Sequence, residues 1–223
     1  MDQDTDIDEV VLKSDLFGHV LRVTRNGAIS VRRDISSAPF WTRGLARRLM
    51  RREARVLEAV QGIDGLPALL HSDRDTLERS FLDGQPMQLA RPYGASGYFS
   101  DARRLLHRLH RTGVVHNDLA KEPNILVTAD GRAAFIDFQL AARFRRRTRL
   151  FRLLAREDIR HLLKHKRYYC AEALTAREKS ILERPSLPSR LYMRTVKPVY
   201  LFVTRRLLGW SDREGAGDRG AVR

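Results

Sequence analysis

Apolar residues in this chain change period several times along its length, and each change predicts an element. Between Val10 and Asp34 they form strand-like runs, "VVLKSDLFGHVLRVT" and "AISVRRD", separated by Arg25-Asn26-Gly27. Asn-Gly between two apolar runs predicts a hairpin, because both residues tolerate the positive φ of a tight turn. From 41 to 60 the period becomes helical, with Leu45, Leu49, Val56, Leu57 and Val60 at three- and four-residue spacing. Gly62 and Gly65-Leu66-Pro67 break that helix, and "TLERSFLDGQPM" (76–87) predicts a further strand ending in the Asp83-Gly84 turn. Ser100-Asp101 reads as the N-cap of a helix that runs to Arg111 and is closed by Gly113. Then come "VVH", a polar loop, "NILVT", the turn Ala129-Asp130-Gly131 and "AAFIDF", a second hairpin. Beyond Phe138 the pattern is helical, through Leu150, Leu153, Leu154, Ile159, Leu162 and Leu163. The tail after Trp210 has the composition of a disordered end. This order predicts an α+β fold: a small antiparallel sheet with one helix, a seam at Asp83-Gly84-Gln85-Pro86, and a mostly helical half holding a hairpin.

Composition narrows the class. Hydrophobic residues are 43% and charged residues 31%, a soluble globular balance, and the apolar runs are too short for a transmembrane helix. The acidic start, "MDQDTDIDEVV", lacks a signal-peptide pattern, and the single Cys170 excludes an internal disulfide, so a cytoplasmic location is expected. The net charge of +15 is unevenly placed: residues 143–167 hold eleven Arg and Lys against Glu157 and Asp158, and 43–55 hold six Arg against Glu53. Such faces attract nucleic acid, anionic lipid or phosphorylated substrates; a solvated Arg-rich helix face is the equal alternative. "KPVYLFVTRRLLGW" (197–210) fits an anionic membrane surface, although packing against the helical half is preferred.

The polar loop lies inside "VVHNDLAKEPNILV" (114–127), which crowds a His, an Asp, a Lys, a Glu and an Asn between apolar flanks. Asn124 starts one strand of the second hairpin and Asp137 ends the other, so the two meet at one end. A carboxylate and an amide oxygen are hard ligands suited to Mg²⁺ carrying a nucleotide phosphate. Asp118, held nearby, can accept a proton from an attacking hydroxyl.

With these residues in view, the chain resembles the protein-kinase-like superfamily. "HNDLAKEPNILV" is similar to its catalytic loop, "FIDFQLA" to its Asp-Phe-Gly metal-binding segment, and "LLHRLHRTGVVH" to the helix leading into that loop. The resemblance covers roughly 10–165, with specific motifs across 105–141. It implies a single two-lobed domain over 1–210, with an N-lobe at about 10–83 and a C-lobe at about 84–210. ATP and Mg²⁺ are the implied cofactors. Asp118 is then the catalytic base, Lys121 faces the transferred phosphate, and Asn124 and Asp137 bind Mg²⁺. "ISVR" (29–32) resembles the strand motif that supplies a phosphate-binding lysine, which puts Arg32 at that position, with Arg33 the alternative if the register slips by one. Glu53, on the inward face of its helix, is the matching glutamate. Gly18 is the one glycine of the nucleotide-covering segment, and the backbone around Ser80-Phe81-Leu82 faces the adenine edge.

Several positions depart from that template. The Asp118-to-Asn124 spacing is one residue longer than usual, Asn117 replaces an arginine, Gln139 replaces a glycine, and no Ala-Pro-Glu-like segment comes after it. These features resemble RIO-type kinases and the bacterial lipopolysaccharide-core (Kdo/heptose) kinases. The expected function is transfer of the γ-phosphate of ATP to a hydroxyl, on an anionic glycolipid sugar or, alternatively, on a protein Ser/Thr. Peripheral contact with the inner face of the cytoplasmic membrane accompanies the glycolipid reading. A nucleotide-binding pseudokinase scaffold, motivated by Arg32 and Gln139, is the second alternative. An RNA-binding module ranks last, since only Phe144 and Phe151 offer stacking surfaces in the Arg-rich run. In the same context His116 is structural, His107 and His110 are ordinary helix residues, and zinc is not expected. Asp158 either anchors the loop backbone or is a surface acid among arginines.

Overall fold

The apolar run from Val10 to Thr24 is two strands, not one. The computed structural model describes residues 7–183, so the 197–210 segment and the tail after Trp210 lie outside the described residues. β1 (Ile7–Asp15) and β2 (Gly18–Arg25) pair antiparallel around a tight turn at Leu16-Phe17, and β2 pairs with β3 (Ala28–Asp34) around Asn26-Gly27. Asn26 and Gly27 both have positive φ, as the hairpin signal requires. Gly18 has φ of +106°, and a Cβ there would collide with the Asp34 carbonyl oxygen, so β2 can start this close to the end of β3 only with glycine.

α1 (Phe40–Ala59) comes next, close to the predicted 41–60. Its inner face, Ala46, Met50, Glu53, Ala54, Val56 and Leu57, is buried. A fully buried Leu such as Leu57 contributes about 1.5–3 kcal/mol. β4 (Leu69–Ser72) and β5 (Thr76–Ser80) complete a five-stranded antiparallel sheet in the order β1-β2-β3-β5-β4. The predicted strand over 76–87 therefore stops at Ser80, and β6 (Gln85–Pro86) belongs to a second sheet.

α2 (Met87–Ala90) leads to α3 (Ser96–Arg111), which begins a turn before the predicted cap. Ser100 donates to the Ser96 carbonyl and Asp101 accepts from the Ala133 N–H, so neither serves as a helix cap. After Gly113 come β7 (Val114–Val115), β8 (Ile125–Val127) and β9 (Ala133–Phe135); β6, β8 and β9 form a three-stranded sheet. β10 (Ala142–Arg143) pairs with β7. Helix does not resume directly after Phe138: α4 (Arg149–Tyr169) starts where Thr148 Oγ1 accepts from the Phe151 N–H, and α5 (Ala176–Glu183) ends the described chain. One apolar cluster joins the sheet-packed face of α1 to α3 and α4, through residues such as Leu57, Leu77, Leu105, Phe135, Phe138 and Leu162. The architecture is α+β, a small antiparallel sheet followed by a mostly helical part. Among the described residues, no helix is long and apolar enough to cross a membrane.

Candidate functional site

The loop from His116 to Asn124 is held from beneath by α4. Asp158 is fully buried. Its Oδ2 accepts from the His116 backbone N–H (2.8 Å) and its Oδ1 from that of Asn117 (2.9 Å). His110 Nε2, 3.0 Å from Oδ2, carries its proton toward the carboxylate. Of the two sequence readings of Asp158, the anchor is the one observed. His165 donates to the Leu119 carbonyl (2.9 Å), and Tyr169 donates to Glu122 (2.7 Å), so α4 also grips the stretch that holds the loop's extra residue. Glu122 is therefore buried at the base of the loop.

This scaffold fixes Asp118. The Asn124 amide donates to both the Asp118 carbonyl (2.9 Å) and Asp118 Oδ2 (2.8 Å), and Lys121 Nζ lies 3.2 Å from the same oxygen. Oδ2 is thus engaged twice, and Oδ1 is the oxygen available to an incoming proton. Burial raises the Asp118 pKa from its ordinary value; Lys121 pulls the other way. With both amide hydrogens of Asn124 committed to Asp118, its oxygen is the atom that can ligate a cation.

Asp137 comes from the opposite side of the second hairpin. His116 Nε2 donates to the Ile136 carbonyl (3.0 Å), and the His116 ring packs tilted against Phe138, centroids 4.7 Å apart; Phe138 is fully buried. Asp137 therefore sits between two anchored neighbours, with φ of 62° and ψ of 73°. Asn117 has φ of 65°. Both positions hold residue types that adopt left-handed backbone more readily than other non-glycine residues. Asp137 and Asn124 give two oxygen donors; a Mg²⁺ held by them would complete its shell with phosphate and water oxygens. The donor chemistry fits that ion.

The segment after Asp137 is clamped. The Leu140 carbonyl accepts from Asn117 (2.9 Å) and Arg52 (3.0 Å), and the Ala141 carbonyl accepts from Arg52 (2.6 Å). Asn117, read from sequence only as a missing arginine, positions this segment.

On the sheet side the register differs from the expected one. Arg32 points away from α1: it pairs with Glu9 (2.7 Å) and Glu78 (3.4 Å). Arg33, its neighbour across the pleat, faces α1 and lies 3.7 Å from Glu53, so Arg33 rather than Arg32 meets the helix glutamate. Glu53 is 1% exposed and makes its shorter contact, 2.6 Å, to Arg79 of β5. Sequence reasoning missed Arg79, although it shares a strand face with the buried Leu77. The Gln139 amide faces the Arg33 guanidinium, which has only donors to offer, so its oxygen is assigned to that side as the acceptor. Two guanidiniums, one carboxylate and one amide thus close the site's sheet-side wall.

Other expected positions are placed less tightly. Gly18 is accounted for by its packing on Asp34, and its turn is pinned by Thr42, which donates to the Leu16 carbonyl (2.8 Å). Phe81 and Leu82 lie between β5 and β6, Phe81 exposed and Leu82 half-buried. A cavity of about 680 Å³ opens on the far face of the sheet, beside Arg25, Arg32 and Glu78; it holds none of the loop residues.

One buried and one half-buried imidazole, His116 and His161, give the fold a pH dependence. Burial lowers the His116 pKa, and burial with Lys164 nearby brings His161 down to about 4. The unfolded chain binds a proton on His161 near 6.5, so its contribution to stability is full above that value and is lost as pH falls toward 4. Asp118 works in the opposite sense, since its raised pKa favours the protonated fold. The urea midpoint is therefore expected to fall between pH 7 and pH 5, with a shallower fall in His161→Gln. An equally steep fall in that variant would remove His161 as a cause.

Compared with models of known protein families and with curated proteins, the chain matches none.

Proposed function

We propose that the protein is an ATP-dependent phosphotransferase of the protein-kinase-like kind, moving the γ-phosphate of Mg-ATP to a hydroxyl. The observation that carries this reading is the convergence around Asp118: a base with one free carboxylate oxygen, an amide turned to offer its oxygen, and Asp137 arriving from the paired strand. In this reading Asp118 takes the acceptor proton, and Lys121 balances charge as the phosphoryl group moves. Asn124 and Asp137 would hold Mg²⁺, which would supply positive charge to offset that of the phosphates. Arg33, held by Glu53 and Gln139, takes the place of the phosphate-binding lysine, and the backbone at Phe81-Leu82 borders the adenine. The sheet with α1 is the smaller lobe, and the helical part is the larger one.

The acceptor reading rests on the segment between Asp137 and α4. It is only eleven residues long, and Arg52 and Asn117 clamp it, which leaves little chain to seat a peptide. An anionic glycolipid sugar of the lipopolysaccharide-core type, met at the inner face of the cytoplasmic membrane, is the favoured acceptor; a protein Ser/Thr is the alternative. The Gln139–Arg33 contact favours a second reading, a nucleotide-binding scaffold without turnover, because it occupies the cation that would grip phosphate.

The test is transfer of label from γ-labelled Mg-ATP to core glycolipid, to a generic protein acceptor or to water. Labelled glycolipid is the expected product. Labelled protein instead would move the acceptor, and Mg-ATP binding with no turnover on any acceptor would establish the scaffold reading.

A further inference from the structure

The outward face of α1 is unusual in carrying both bare apolar side chains and unpaired arginines. At 100° per residue, Trp41, Leu45, Arg48, Arg52 and Arg55 fall within one narrow stripe, with Phe40 and Arg51 on its flank. Phe40 is 87% exposed, Trp41 58% and Leu45 52%, all in the first two turns. Arg48, Arg51 and Arg55 are exposed and, among the described residues, make no ion pair. The helix's acids do not interrupt this: Glu53 is buried and Glu58 lies at the far end. β10 lies against α1, and the exposed Arg145-Arg146-Arg147 run continues from it. Half-exposed Leu140, whose carbonyl Arg52 holds, marks where the patch meets the candidate site.

We propose that this face docks on an anionic lipid bilayer, Phe40, Trp41 and Leu45 entering the headgroup boundary and the arginines contacting lipid phosphates. Charge complementarity selects the partner's sign, and the apolar triad selects its kind. Exposed aromatic and aliphatic side chains at one end with arginines beside them combine the two attractions that hold a protein on an anionic bilayer, burial of apolar area and charge. Single-stranded RNA would use the arginines and the two aromatic rings, but Leu45 and Leu140 offer it no stacking surface. The surface stands on the burial and charge of α1, not on the phosphotransfer reading.

The experiment is flotation of the full chain with phosphatidylcholine vesicles, with and without phosphatidylglycerol, alongside Trp41 emission in a Trp210→Phe background. Binding only to the anionic vesicles and a blue shift of Trp41 are expected. Binding should weaken about tenfold or more in F40S/W41S/L45S, and comparably in R48E/R51E/R55E. None of these six residues touches the Asp118 site, and a melting temperature near that of the wild type shows that the variants remain folded. Vesicle binding that survives both triple variants would overturn the proposal. So would an unshifted Trp41, or affinity for a single-stranded RNA oligomer in place of vesicles.

Discussion

Asp118→Asn is expected to lower phosphoryl transfer by about 10²–10⁴-fold while leaving Mg-ATP binding nearly intact. The substitution keeps the side chain's size. It also keeps the backbone carbonyl that the Asn124 amide grips, so the loop should hold its shape. What it removes is the carboxylate oxygen left open when Oδ2 is shared by Asn124 and Lys121. Burial raises the pKa of that carboxylate, so wild-type kcat/KM should fall with acid at a higher pH than an exposed aspartate would give. The sign is set by the base needing to be deprotonated: activity is present above the raised pKa and lost as pH falls through it. Rates measured across pH for both proteins check the point. A variant with near wild-type turnover would remove Asp118 from the chemistry, and loss of Mg-ATP binding in step with turnover would recast it as part of the nucleotide site.

The features legible in the sequence were those local in the chain. The Asn26-Gly27 hairpin, α1 and the apolar runs beside Asn124 and Asp137 each depend on residues within a few positions of one another. The β1–β2 turn was hidden because Leu16 and Phe17 are apolar and extend the run instead of punctuating it. Arg32 and Arg33 show a sharper limit. Strand side chains alternate faces, so a one-residue uncertainty in register decides which arginine reaches Glu53. Arg79 reaches the same carboxylate from a strand 46 positions beyond Arg33, a pairing that no local signal announces. The clamp on Leu140 and Ala141 is likewise long-range: Arg52 contributes it from α1, where it reads as one more solvated arginine.

Asp158 is the clearest long-range case, and its removal should have the largest structural effect. From sequence it is an acid in an Arg-rich helix; in the fold it is the common acceptor for two successive backbone N–H groups and the His110 ring. Asp158→Ala leaves three donors without that partner, two of them, the His116 N–H and the His110 ring, buried. A lost charged acceptor with several stranded donors costs about 3–5 kcal/mol. For a chain of this size that corresponds to a melting temperature lower by roughly 6–20 °C. Asp158→Asn keeps one accepting oxygen but turns an amide N–H toward a donor, so it should recover only part of the loss. Amide exchange separates a local effect from a global one. If Asp158 is the anchor, protection at the His116 and Asn117 N–H groups collapses further than at Leu105 or Leu106 in α3. Unchanged protection at those two amides, with an unchanged melting temperature, would show that the loop is held by its apolar flanks alone. The anchor also carries consequences for chemistry, since Asn117 holds the Leu140 carbonyl and His116 holds Ile136. Releasing their backbone would loosen Asp118 and Asp137 together, so turnover should fall even at temperatures where the variant remains folded.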